Sequence, residues 1–229
     1  MKTVISDKET ICKNVVKTIK ETLKDNPSTN IAFSAADLDD EFFSALAGAC
    51  QAGEADFSNA RIFSVGEFIS ENILGANLTE QLLGRVNIRE ENLFLLNDSD
   101  FDTYDSLIES FGGLDLVILG IGANCRLGFN EPGTPFSSLT HIQKLSEATV
   151  GQLQRFFPEG VKVPERAITM GIKSITDAKK IVVMAFGDKV SDALYKTLYA
   201  RNDTATPSAF LQIPSDVSVY ADREAAGKL

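Results

Sequence analysis

Two stretches of this chain, Leu116–Leu119 and Ile181–Phe186, are apolar at every position. A strand with apolar side chains on both pleat faces must be covered on both sides, and that arrangement belongs to parallel sheets with helices above and below. Shorter segments of similar character recur, and the pattern predicts strands at Asn30–Ala35, Arg61–Val65, Asn92–Leu96, Leu114–Gly120, Lys180–Phe186 and Val217–Ala221. Helical periodicity falls between them. Ile11, Val15, Val16, Ile19 and Leu23 share one helical face, Ser6 and Glu9 stand at capping-box spacing, and Pro27 ends the run, so a helix is expected over Asp7–Lys24. A second is expected over Asp39–Gln51. Strands and helices in alternation, joined by right-handed crossovers, give a three-layer α/β/α fold with a mostly parallel sheet, Rossmann-like in outline.

The 229 residues carry no Pro/Gly/Ser-rich linker, and 44% of them are hydrophobic, so one domain spanning 1–229 is expected. The formal charge of -10 repels nucleic acid and anionic membranes, so any phosphate ligand needs a local basic pocket. Cys12, Cys50 and Cys125 show no CxxC spacing, and Met1–Asp7 lacks the basic and apolar regions of a signal peptide. A reducing, cytoplasmic setting is therefore expected. No apolar run approaches the ~20 residues that a membrane-spanning helix requires.

In open parallel sheets ligands bind beyond the carboxyl ends of the strands, which directs attention to the loops after Ala35, Val65, Gly120 and Phe186. The third of these reads Gly120-Ile-Gly-Ala-Asn-Cys-Arg-Leu-Gly-Phe-Asn-Glu-Pro-Gly133. Its paired glycines permit a tight turn and close approach to a ligand, but the third glycine of a dinucleotide fingerprint is absent. Phe129-Asn130-Glu131-Pro132 is more specific. The stretch resembles the signature of the glucosamine-6-phosphate and galactosamine-6-phosphate isomerase/deaminase family, where a Gly-x-Gly turn leads into Asp-Gly-His and Phe-Asn-Glu-Pro. The likeness continues through Arg155-Phe156-Phe157 and Ala167–Ile172 to Gly187, and its wording is nearest the galactosamine type. The 6-phosphogluconolactonases, which share the glycine turn alone, stand second.

The resemblance implies an amino-sugar-phosphate isomerase/deaminase of carbohydrate metabolism, without a cofactor or metal. It also implies a relay in which an Asp moves a proton between sugar carbons and an Asp/His/Glu set opens the ring. This chain departs from that pattern. Gly66 stands at the proton-transfer Asp, Asn124 and Arg126 stand at the Asp and His, Cys125 replaces the intervening Gly, and Glu131 alone is retained. Glycine carries no base, and a permanently protonated guanidinium cannot be one. On the ligand side, Arg155 and Lys189 match phosphate-contacting positions, and Gly122 lets the backbone approach. The Gly/Thr phosphate loop reads Ser34-Ala35-Ala36-Asp37, with Asp37 where Thr or Ser is usual. A carboxylate facing phosphate at about 4 Å would cost roughly 4 kcal/mol at an effective dielectric of 20, so Asp37 must point away, be paired or signal a different ligand, and it is expected to turn outward into its helix start.

Each residue also has a plainer reading. Glu131 could be a buried ion-pair partner rather than a pocket residue, Arg155 a solvated helix residue, and Asp37-Asp39-Asp40-Glu41 an acidic helix N-terminus complementing the macrodipole. Glu67 is a conceivable replacement base, although strand alternation turns it away from the side of Gly66. Cys125 lacks a neighbouring base to act as a nucleophile, and His141, the only histidine, is expected to be structural or interfacial. Gly66, Asn124, Arg126, Glu131, Arg155 and Lys189 are expected to meet in one cleft. Arg126 should recruit an anion or pair with Asp37 or Glu131; the favoured reading is that Arg126 and Arg155 recruit an anionic small molecule, a sugar phosphate first, with no nucleic acid or membrane partner and a homo-oligomer left open. The alternative to a working enzyme is a non-catalytic binder of sugar phosphates or small anions, or a lactonase-like hydrolase.

Overall fold

The structure, a computed structural model, describes residues 1–229. Strand β1 (Lys2–Ile5) is followed by helix α1 (Lys8–Asp25), β2 (Asn30–Phe33), α2 (Asp40–Gln51), β3 (Arg61–Ser64) and β4 (Gly66–Phe68). Next come α3 (Ile73–Leu82), β5 (Leu93–Phe94), α4 (Tyr104–Ser110), β6 (Leu116–Leu119), β7 (His141–Lys144), α5 (Glu147–Leu153) and β8 (Arg166–Thr169). The chain closes with α6 (Ile172–Thr176), β9 (Lys180–Ala185), α7 (Ser191–Tyr199) and β10 (Val217–Ala221).

Seven strands form one sheet in the order β1-β10-β9-β6-β2-β3-β5, and every pairing in it is parallel. Pleating sends alternate residues to opposite faces. Ile31, Phe33, Ile62, Leu116, Ile118 and Val182 join one apolar cluster with residues of α1, α2 and α3. Ala32, Phe63, Val117, Leu119, Val183 and Val219 join another with residues of α4, α6 and α7. Doubly covered strands are the reason the sequence is apolar at consecutive positions, and the three-layer α/β/α expectation holds.

Helix α1 buries the expected stripe of Ile11, Val15, Val16, Ile19 and Leu23, but its cap is Asp7, whose carboxylate accepts the Thr10 N–H at 2.8 Å. A carboxylate at that position satisfies the orphan donor directly, so the Ser6–Glu9 capping box is not used. Asp39 caps α2 by accepting the Phe42 N–H at 3.2 Å. Asp40 and Glu41 fill that helix's first turn, as the macrodipole reading requires.

Several strands are shorter than expected, and β5 keeps only Leu93–Phe94 because Asn92 belongs to a preceding 3₁₀ turn. A separate three-stranded sheet, β4-β8-β7, is antiparallel and was not anticipated. The chain crosses into it at Val65, whose N–H donates to Phe33 in the large sheet while its carbonyl accepts from Met170 beside the small one.

Topology places the functional end. From β2 the chain proceeds to β3 and β5 on one side, and from β6 it proceeds to β9 and β10 on the other. The crevice beyond the carboxyl ends of β2 and β6 is thus a switch point, where α/β sheets open a binding site. No helix is long and apolar enough to cross a membrane.

Candidate functional site: a cleft at the sheet switch point

A cleft of about 710 Å³ lies over the carboxyl ends of β2, β6 and β9. Its charged and turn-forming walls include Asp37 after β2, Gly120, Gly122 and Arg126 after β6, Arg155 beyond α5 and Lys189 after β9. Phe156 and Phe186 add aromatic surface. The Arg155 guanidinium lies 5.0 Å from the Phe156 ring centroid and donates to the Ala36 carbonyl. Gly187, with φ of +80°, makes the turn that sends Lys189 toward the cleft.

The β2 and β6 loops are joined by an ion pair. Arg126 Nη2 donates to Asp37 Oδ1 at 3.2 Å, with the two side chains only 4% and 7% exposed. Arg126 Nη1 donates to the Gly128 carbonyl, while its Nε is buried without a partner. Asp37 therefore turns inward, which corrects the favoured outward orientation and realises the alternative in which it pairs with Arg126. The reason is the sequence of the opposite loop. A buried guanidinium attracts the nearest carboxylate, and Gly120 and Gly122 leave room for the pair. A Cβ at 120 would stand 2.9 Å from Asp37 Cβ, and one at 122 would strike Arg126 Cγ. The Gly-x-Gly turn thus houses a salt bridge, and Arg126 is held by protein rather than free for ligand.

The expected meeting of six residues is met in part. Arg126, Arg155 and Lys189 line the cleft; Gly66, Asn124 and Glu131 do not. Glu131 is buried and takes Asn124 Nδ2 at 2.7 Å, the Ser146 N–H at 3.0 Å and the Ser146 hydroxyl at 3.1 Å. Asn124 also reaches the Thr149 hydroxyl at 3.2 Å. Ser146 caps α5, so this buried network ties the signature loop to that helix. Sequence reading missed Ser146 and Thr149, although Ser146-Glu147 carries a helix-start signal.

Gly66 lies with Ser34, Ala35 and Ala36 along a narrow crevice that has no room for a water molecule, and none of the four is on the wall of the main cleft. A Cβ at position 66 would approach the Phe129 ring at 2.8 and 2.9 Å and the Ile168 carbonyl at 3.1 Å. Phe129 thus fills the space a side chain there would need. Glu67 points elsewhere. It is buried and accepts the N–H groups of Phe68 at 2.8 Å, Leu74 at 3.2 Å and Gly75 at 2.7 Å, which fastens the start of α3. Burial pushes its pKa up, against the opposing pull of those N–H groups. The replacement-base expectation for Glu67 is accordingly corrected to a helix-capping role.

Cys125 is buried at φ of +67°, and burial raises its thiol pKa, the opposite of what a nucleophile requires. His141 sits on β7, bonded to the Leu139 carbonyl at 2.8 Å and to Gln143 at 3.2 Å.

Fold and cleft together define an α/β protein with a cleft at a parallel-sheet switch point, walled by Arg126, Arg155 and Lys189 and by Asp37 and Asp39. The pattern of the glucosamine-6-phosphate isomerases/6-phosphogluconolactonase family matches residues 7–220, and the chain belongs to that family. It is 34% identical over 220 residues to the glucosamine-6-phosphate deaminase of Halalkalibacterium halodurans, covering 91% of this chain and 89% of the relative. Identity to the corresponding deaminase of Clostridium botulinum is 39% over 185 residues, or 76% of each chain. A solved monomeric glucosamine-6-phosphate deaminase superposes with a TM-score of 0.95 at 27% identity over 99% of both chains. The 6-phosphogluconolactonase of Trypanosoma brucei, at 16% identity, covers 100% of this chain and 98% of its own with a TM-score of 0.78, and shares the fold. These deaminases bear the glucosamine name, so the galactosamine leaning of the motif wording is corrected.

Proposed function

We propose that this chain is a sugar-phosphate-binding member of the isomerase/deaminase family, taking an amino-hexose phosphate of the glucosamine 6-phosphate kind in the switch-point cleft. Arg155 and Lys189 hold the phosphate. The observation that carries this reading is that the two cations reach one open cleft from separate segments, and neither is matched to a carboxylate. A charge-assisted hydrogen bond from guanidinium or ammonium to phosphate is the strong kind.

Proton transfer is the weak part of the same site. Isomerisation needs a base within hydrogen-bond reach of a carbon acid. Position 66 has none, Asp37 is tied to Arg126 and Ser34, Glu131 is tied to Ser146 and Asn124, and Glu67 faces α3. Groups that act as a unit fail non-additively, so turnover to fructose 6-phosphate and ammonia is expected to be absent or very slow. The test pairs ammonia release with thermal unfolding in glucosamine 6-phosphate and in unphosphorylated glucosamine. Stabilisation by the phosphate ester alone, with ammonia release far below the enzymatic median of ~10 per second, is the expected result. Turnover near that median would refute the catalytic half; no stabilisation would refute the binding half.

A further inference from the structure

Three donors from separate positions converge on the Asp37 carboxylate. The Ser34 hydroxyl donates to Oδ2 at 2.6 Å, the Gly120 N–H approaches the same oxygen at 3.4 Å, and Arg126 Nη2 donates to Oδ1 at 3.2 Å. Backbone amide, hydroxyl and guanidinium are the set that binds an oxyanion of any origin. With the guanidinium almost wholly buried and its Nε unpartnered, the cradle would be strongly electropositive if Asp37 were absent. The chain fills it from within. Next along the backbone, the Ala36 carbonyl receives Arg155, which faces the cleft with Lys189 as a second cationic position.

We propose that Asp37 is a specificity-determining residue, a built-in anion that occupies the oxyanion cradle of Ser34, Gly120 and Arg126. The cleft then favours a ligand with a single anionic group, held by Arg155 and Lys189, over one with two. This rests on the reading of the cleft as a sugar-phosphate site. A second ligand anion entering the β2–β6 crevice meets a fixed carboxylate and an arginine already neutralised. A hydroxyl or an amino group there meets no such repulsion.

The experiment compares the native full-length chain with Asp37→Ser, which empties the cradle and leaves its donors. Binding of inorganic phosphate, glucose 6-phosphate and 6-phosphogluconate is measured by calorimetry. Asp37→Ser is expected to bind inorganic phosphate about tenfold tighter than the native chain or better, and to raise the affinity of 6-phosphogluconate relative to glucose 6-phosphate by a similar factor. The double variant Asp37→Ser/Arg126→Met should lose both gains. Equal phosphate affinity in native chain and single variant overturns the proposal, as does a gain that survives in the double variant. Should Asp37→Ser not fold in phosphate-free buffer, restoration of a cooperative thermal transition by inorganic phosphate supports the proposal, and failure of phosphate to restore it overturns it. A native chain that binds no sugar phosphate, beside an Asp37→Ser variant that gains phosphate, sinks the reading of the cleft and leaves the built-in anion standing.

Discussion

Placing even a methyl group at position 66 should destabilise the protein, and the cost should be traceable to one ring. A Cβ at Gly66 would come within 2.8 Å of Phe129 Cδ2 and 2.9 Å of Cε2, closer than non-bonded carbons tolerate, with the Ile168 carbonyl at 3.1 Å behind it. Phe129 cannot swing aside freely. It is 1% exposed and packs on Phe68 with ring centroids 5.6 Å apart. Overpacking of this kind costs about 1–3 kcal/mol, so Gly66→Ala should lower stability by that amount in urea unfolding monitored by circular dichroism. Gly66→Asp should cost more, because the carboxylate is also desolvated. Shrinking the ring should relieve the strain, and a cycle of Gly66→Ala with Phe129→Leu should show a favourable coupling of about 0.5–3 kcal/mol. Gly66→Ala with native stability, or a cycle with no coupling, would refute the claim that Phe129 occupies the space a side chain at position 66 would need.

Breaking the buried Asp37–Arg126 pair from one side, by Arg126→Met, should cost about 3–5 kcal/mol in the same denaturation assay, and the Asp37→Leu/Arg126→Met double variant should lose less. Asp115 ties β6 to the start of β2 by accepting the Asn30 N–H at 2.8 Å and the Lys179 ammonium at 2.7 Å. Burial works against its charge, but Lys179 and the Asn30 N–H win and hold it below the model-peptide 3.8, so its stabilisation is present above that pH and lost as pH falls through the depressed value. Asp115→Asn should thus cost about 1–3 kcal/mol at neutral pH and progressively less in acid unfolding below 3.8. Glu67 runs the other way. Its pKa is raised above 4.5 by burial, so the native chain loses stability as pH rises from 4.5 through the folded value, and Glu67→Gln should flatten that part of the stability profile without altering ligand affinity.

The sheet was legible because double burial leaves a local trace: Leu116–Leu119 and Ile181–Ala185 are apolar without interruption, and side chains from both clusters account for it. Edge strand β1 left no such trace, since Lys2, Thr3 and Ile5 are exposed. The small antiparallel sheet escaped because Gly66-Glu67-Phe68 is wholly buried yet mixes a glycine, a carboxylate and a ring, so neither alternation nor an apolar run marks it. At the site, motif spacing carried Asp37, Arg126 and Lys189, whose place depends on strand ends, and Arg155, which follows α5. Orientation was not legible. The inward turn of Asp37 depends on Arg126, 89 residues away in the chain, and the crowding of Gly66 on Phe129 depends on a contact between β4 and the loop after β6. Such pairings are set by tertiary packing, which local sequence does not encode.

Whether Arg155 and Lys189 hold a phosphorylated sugar in the switch-point cleft is decided by titrating glucosamine 6-phosphate calorimetrically into the native chain and into Arg155→Ala/Lys189→Ala. Neither side chain is in an ion pair, so the double variant should keep its fold. With each charged contact worth about 1.5–3 kcal/mol, the account predicts saturable binding by the native chain and a loss of about two orders of magnitude or more in the variant. Unchanged affinity in a folded double variant would contradict it.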